Sequence, residues 1–224
     1  MNRFFNIWIF IIAVLSIPTA LAVGLNEDFQ VFGFKIPGIE FEYKELFFGI
    51  GAGLIFLLGV LKASKKWMGL RIVKQKERFQ FSTEVSRSRM SRVLLYNTIE
   101  LLFLLIFGAF FYSMSLFSAY LGLTFFILLL EHFLNTFLGI YRKMYRVGMT
   151  KKALIRVDRE VNVIYFKGLQ KITKHQQSLY FEYSNDLVLH IPLDVIPEEK
   201  TTAFYKALRT QVDPDKVFYS GFDL

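Results

Sequence analysis

Hydrophobic residues follow two rhythms along this chain. Up to about residue 140 they form four long runs nearly free of charge; beyond residue 150 they alternate with polar residues. The first run, residues 4–24 (FFNIWIFIIAVLSIPTALAVG), is long enough to cross a bilayer core, which takes about 20 residues as helix. Arg3 and the small-residue stretch Thr19–Ala22 also fit a secretory signal. The expectation is an uncleaved helix, kinked near its outer end by Pro18. A second run covers 45–62 (ELFFGIGAGLIFLLGVLK), and Gly49 and Gly53 form a GxxxG in it, a pattern that lets another helix approach closely. Runs at 93–113 and 116–140 are separated only by Tyr112-Ser113-Met114-Ser115, which predicts a tight hairpin of two membrane helices.

From Thr150 the period changes to two. ALIRVD, VNVIYFKG, LQKITKH, SLYFEYS and DLVLHIP read as short strands, with Asp158-Arg159-Glu160 and Ser184-Asn185-Asp186 as polar turns. After Pro197, Ala203, Phe204, Ala207 and Leu208 recur at helical spacing, with acids at the start and bases towards the end as the helix dipole favours. The expected fold is therefore a membrane α-helical unit of four transmembrane helices plus a small C-terminal α+β domain of antiparallel strands with a capping helix. The expected boundaries are 1–148 for the membrane unit, with a basic loop at 62–92, and 149–224 for the β-rich domain, with its helix near 198–212.

Charge supplies the orientation. Residues 25–45 hold five acids and two bases, whereas 62–92 hold five Lys, five Arg and two Glu, and 141–224 hold fourteen bases and ten acids. Lys and Arg accumulate in cytoplasmic loops. Four crossings starting inside put every basic cluster, including Arg3, on one side. The expected location is the cell inner membrane, multi-pass, with both termini cytoplasmic. The chain has no Cys, which removes disulfides, thiolate catalysis and Cys-ligated metals.

The C-terminal stretch SLYFEYSNDLVLHIPLDVIPEEKTTAFYKALRTQV resembles the end of the YcxB-like domain of bacterial membrane proteins. The matching positions are Tyr180-Phe181-Glu182-Tyr183, Leu189-His190-Ile191-Pro192 and Phe204, with residues 168–175 where the family often has a DIKKI-like strand. The resemblance covers roughly residues 150–212. It implies a bacterial source, a pleckstrin-homology-like module that interacts with protein at the membrane, and no catalytic residue.

Candidate chemistry lies inside the spans. Only Glu100 and Glu131 of the 19 acids fall there. On the fourth span Glu131 and Asn135 share one helix face, and His132 and Thr136 form a stripe beside it, with Thr124 further along. Asn97 and Glu100 are three apart on the third. A charge at the bilayer centre costs about 2.5–3.5 kcal/mol on insertion scales. The acids must be protonated, paired with His132, or turned to water. Three readings follow: a hydrogen-bonded clamp between helices, a contact with a partner's helix, or a proton or cation site using Glu100, Glu131 and His132. No His spacing fits a metal centre, and no metal or cofactor is expected.

The basic loop mixes aromatics with Lys and Arg, but its place beside the membrane favours anionic lipid over nucleic acid. Lys65, Lys66, Trp67, Arg71, Lys74 and Lys76 are the expected contacts, Trp67 as an interfacial anchor. His175 and His190 stand alone on strands, and no nucleophile elbow, P-loop or HExxH occurs. The expected function is that of a non-enzymatic membrane subunit, scaffold or adaptor. Its expected partners are the lipid bilayer and another membrane protein or a second copy.

Overall fold

The computed structural model describes residues 2–25, 43–213 and 217–222. The elements in chain order are α1 (Asn2–Val23), α2 (Lys44–Lys74), β1 (Phe81–Glu84), α3 (Arg87–Met114), α4 (Ala119–Tyr141), β2 (Arg146–Met149), β3 (Ala153–Val157), β4 (Val161–Tyr165), β5 (Leu169–His175), β6 (Ser178–Tyr183), β7 (Val188–Pro192), α5 (Thr201–Gln211) and β8 (Phe218–Ser220). They divide into two compact units, residues 1–65 with 97–136 and residues 66–96 with 137–224.

The first unit is helical. Its four helices are each long and apolar enough to cross a membrane. Their inward faces bury Ala13, Ala20, Phe48, Ile55, Phe111, Leu121 and Phe125. A ladder of phenylalanines fills the middle, with Phe111 and Phe125 stacked at 6.0 Å and Phe103 and Phe107 at 4.4 Å. The outward faces are apolar too: Leu15, Ile106, Leu116 and Leu130 are exposed. A helix in water turns a polar face outward, so helices hydrophobic all round suit lipid.

Backbone groups freed at the α3–α4 turn find partners locally. The Ser115 amide donates to Ser118 Oγ and the Ser118 amide to Ser115 Oγ, both at 3.0 Å. Ser118 Oγ also donates to the Phe111 carbonyl at 2.7 Å. This is a reciprocal cap built from two serines, at a site where an unmet backbone group in hydrocarbon would cost several kcal/mol. Gly122 lets the turn close, because a Cβ there would collide with the Tyr112 backbone.

The second unit holds two four-stranded sheets, ordered β1-β2-β3-β4 and β7-β6-β5-β8. All neighbours are antiparallel except β8, which runs parallel to β5. β3 is buried at every residue, whereas β6 alternates, burying Leu179 and Phe181. The expected polar turns form: Asp158 caps its own turn by accepting from the Glu160 amide, and Asp186 takes φ 60° between β6 and β7. α5 buries Phe204 and Leu208 on the sheets, Phe204 meeting Phe81 edge-on at 5.6 Å.

This unit begins earlier in the chain than residue 149. β1 arises within the segment read as a basic loop and pairs with β2 in the register Phe81↔Met149 to Glu84↔Arg146. The whole α3–α4 hairpin is thus the connection between two neighbouring strands. The loop at 62–92 is also shorter than expected, since α2 runs on to Lys74.

Gly148 at the centre of β2 is a close-approach position, because a Cβ there would enter the Phe79 ring. Gly148→Ala is predicted to destabilise the β-rich unit by about 1–3 kcal/mol, the usual cost of overpacking. A thermal melt of the purified variant checks this, and an unchanged melting temperature would contradict the packing described.

Candidate functional site

The polar residues of the long apolar helices assemble on three of them. α2 supplies Lys62, α3 supplies Asn97 and Glu100, and α4 supplies Glu131, His132, Asn135 and Thr136. Because α3 and α4 run antiparallel, their three- and four-residue spacings form rungs. His132 Nδ1 lies 3.6 Å from Glu100 Oε1. One turn along, Asn97 Nδ2 donates to Thr136 Oγ1 at 3.2 Å. Lys62 completes the layer as the ion partner of the Glu100 carboxylate.

Burial is deep. Asn97, His132 and Asn135 are only 2–3 % exposed and Lys62 9 %, while Glu131 is half-buried. Asn97 Oδ1 and Asn135 Nδ2 have no hydrogen-bond partner among the described residues. Of the three states open to the acids, Glu100 approaches His132, but His132 is the more distant of its two partners. At 3.6 Å it lies beyond hydrogen-bond range, and the direct charge on Glu100 is that of Lys62. Thr124 is turned to its own helix, donating to the Tyr120 carbonyl at 2.9 Å.

Lys62 is not among the residues that the sequence pattern singles out. It reads as the polar end of a span, and only the continuation of α2 to Lys74 puts it mid-helix. The inward spacing of Ile55, Gly59, Lys62 and Lys66 is the signal that points to it. An ammonium already seated at Glu100 opposes a second cation there. The layer is a charge-compensated tie among three helices.

Gly49 and Gly53 are not contact points within the chain: a Cβ at either meets nothing within 4 Å among the described residues. Close approach falls instead at Gly59, whose Cβ position is filled by Leu128.

The basic candidates separate by direction. Lys65 Nζ lies 4.7 Å above the Phe5 ring. Lys66 is buried, and Trp67 packs against the hydrophobic core of the β-rich unit. Arg71 and Lys74 face outward on α2. Lys76 sits in a short 3-10 turn, its side chain outside the described residues.

A second ionic cluster, which sequence reading did not anticipate, lies in the β-rich unit. Arg89 donates from Nε and Nη2 to Asp158 Oδ2 at 2.9 and 2.8 Å, and Arg156 Nε lies 3.5 Å from Asp158 Oδ1. Asp194 pairs with Arg92. Burial pushes the Arg156 guanidinium below its ordinary value, with Asp158 acting against that shift. Ser86 caps α3 by accepting from the Arg89 amide at 3.1 Å, and its own amide donates to the Val195 carbonyl at 3.0 Å. Beside this cluster a groove of about 1180 Å³ is lined by Ser82, Ser86, Arg87, Gln177, Glu198 and Lys200 among others. Its lining mixes both signs of charge with neutral polar groups. His175 and His190 remain on the surface, with His190 stacked on Tyr180 at 5.9 Å. No group of three His, Asp or Glu that could hold a metal ion occurs among the described residues.

Compared with known proteins, the chain finds no matching family model, curated protein or solved structure.

Removing one member of a buried pair strands the other charge, a loss of about 3–5 kcal/mol, whereas replacing both by apolar residues is often close to neutral. Glu100→Ala is accordingly predicted to destabilise the helical unit strongly, and Lys62→Met/Glu100→Leu to restore most of the loss. Unfolding free energies from steric trapping in bicelles check it. Losses that simply add in the double variant would contradict a direct pair.

Proposed function

We propose that this chain is a non-enzymatic, multi-pass protein of a bacterial inner membrane, acting as a subunit, scaffold or adaptor. Its four helices dock in the bilayer, and both termini and the β-rich unit lie in the cytoplasm. The observation that carries the reading is the insertion of the α3–α4 hairpin between the paired strands β1 and β2. Strands of one sheet lie in one compartment. The end of α2, the start of α3 and the end of α4 therefore share a side, independently of any count of charges. The charge count then says which side: the segments that meet there are the basic ones, and the intervening 25–45 is acidic.

Three features support an adaptor over a transporter. The polar layer is internally compensated by Lys62. The β-rich unit is a sheet-and-helix module of the kind that the YcxB-like resemblance implies. Among the described residues nothing meets Gly49 or Gly53 on α2, which suits a helix of another subunit or a second copy. Partner binding is read from these surfaces, with no nucleic acid among the expected partners.

The contact between Glu100 and His132 favours one second reading, a proton-linked subunit. In that case Glu131→Gln abolishes a proton flux in reconstituted vesicles while leaving folding intact; absence of flux from the wild type, alone or with its partner, removes the idea.

Two measurements test the main proposal. The cysteine-free sequence allows single introduced thiols to report sidedness. A thiol at Asp28→Cys is predicted to react with an impermeant maleimide on intact cells and one at Lys151→Cys only after lysis; the reverse pattern would overturn the orientation. Mild-detergent purification of the tagged protein is predicted to recover a stoichiometric partner or a homo-oligomer, and a clean monomer would count against the adaptor role.

A further inference from the structure

α2 is 31 residues long, about 46 Å at 1.5 Å per residue, against a hydrocarbon core of about 30 Å. Counting about 20 residues from Leu46 brings the edge of the core to Lys65. Arg71 and Lys74 then stand about 9 and 14 Å further along the helix, distances that tilt shortens and that long basic side chains span back towards the phosphates.

The extension is two-faced. Ala63, Lys66, Leu70 and Val73 are buried. The opposite stripe exposes Leu61, Ser64, Met68 and Arg71, with Lys74 on its border. Met68 is 61 % exposed between bases, an arrangement that suits the boundary between acyl chains and headgroups better than open water.

Partners separate these bases from three others of the segment. Lys62, Arg89 and Arg92 are committed to Glu100, Asp158 and Asp194. No acid pairs with Arg71 or Lys74 among the described residues. On α2 itself, Arg71 and Lys74 face outward beside the exposed Met68 thioether.

We propose that the outward face of α2 from Met68 to Lys74 binds the headgroup of an anionic phospholipid. Arg71 and Lys74 compensate its negative charge, and Met68 lies against the upper acyl carbons. The inference rests on the orientation proposed above, which sets this face at the cytoplasmic leaflet. Arg71 supplies a planar donor fork suited to a phosphate diester, and Lys74 a mobile point charge. Of the sequence candidates, Lys66 and Trp67 point inward and contribute to folding rather than to the lipid.

The test uses the full chain in phosphatidylcholine nanodiscs doped with phosphatidylglycerol, with native mass spectrometry counting the lipids that stay bound. Wild type is expected to enrich phosphatidylglycerol. Neutralising each base lowers that preference about fivefold, the equivalent of about 1 kcal/mol per basic residue at an anionic surface. Arg71→Gln/Lys74→Gln therefore loses most of the enrichment, while Arg71→Lys/Lys74→Arg keeps it and shows that the fold survives. Equal retention by wild type and the neutralised variant would overturn the proposal. So would an equal loss from Lys151→Gln/Lys152→Gln, because the effect would then be one of net charge. A wrong orientation shows itself separately in the thiol-labelling pattern.

Discussion

Pairing of β1 with β2 is the constraint on which the rest depends. Four residues, Phe81–Glu84, hydrogen-bond to four others, Arg146–Met149, across an intervening hairpin of two apolar helices. Neither strand is long enough to persist alone, since an isolated pair is marginal in water. Each is held because β2 also pairs with β3 and because Phe81 packs on Phe204 of α5. A lipid-soluble insertion in a sheet must leave and return on one side of the bilayer. On the proposed membrane placement, sheet pairing therefore keeps both ends of the hairpin on one side.

A second constraint operates within the helices. Two acids in hydrocarbon are costly as charges, and the chain answers for Glu100 with a lysine from a different helix. The ion pair, the neighbouring imidazole and the Asn97–Thr136 bond lie in one layer, so α2, α3 and α4 are tied where apolar packing alone gives little directional preference. The cost is stringency. Asn97 Oδ1 and Asn135 Nδ2 find no mate among the described residues, which makes this layer sensitive to small rearrangement. In the β-rich unit the Arg89–Asp158–Arg156 cluster has the same logic, with Asp158 opposing the cost of burying the Arg156 cation.

Much of this was legible from the residues. Long uncharged runs marked the helices, and period-two patterning marked β3 to β7. It is clearest in β6, which buries Leu179 and Phe181 on one face, while β3 is buried on both. The helical spacing of Phe204 and Leu208 marked α5. What stayed hidden has identifiable causes. FSTE and RVGM are too short to show a period, and their partners lie more than sixty residues apart in sequence. β8 has three residues and an exposed Phe218. The extension of α2 was masked by its charge density, although Ala63, Leu70 and Val73 carry a helical stripe. Lys62 was missed for the same reason, whereas Asn97, Glu100, His132 and Asn135 were found because polar residues stand out in an apolar run. Gly49 and Gly53 show the opposite limit: the motif is real, but nothing among the described residues fills it.

The most direct test of the account is a paired-cysteine crosslink between β1 and β2. Glu84 and Arg146 face one another in the register, and neighbouring strands bring such positions within disulfide reach. With no native cysteine to interfere, Glu84→Cys/Arg146→Cys should oxidise within the monomer and block both thiols from a maleimide-polyethylene glycol, whereas Glu84→Cys/Lys151→Cys should not. Two freely labelled thiols in the facing pair would mean that β1 is not a strand of this sheet. The α3–α4 hairpin would then lose the tie that sets its sidedness.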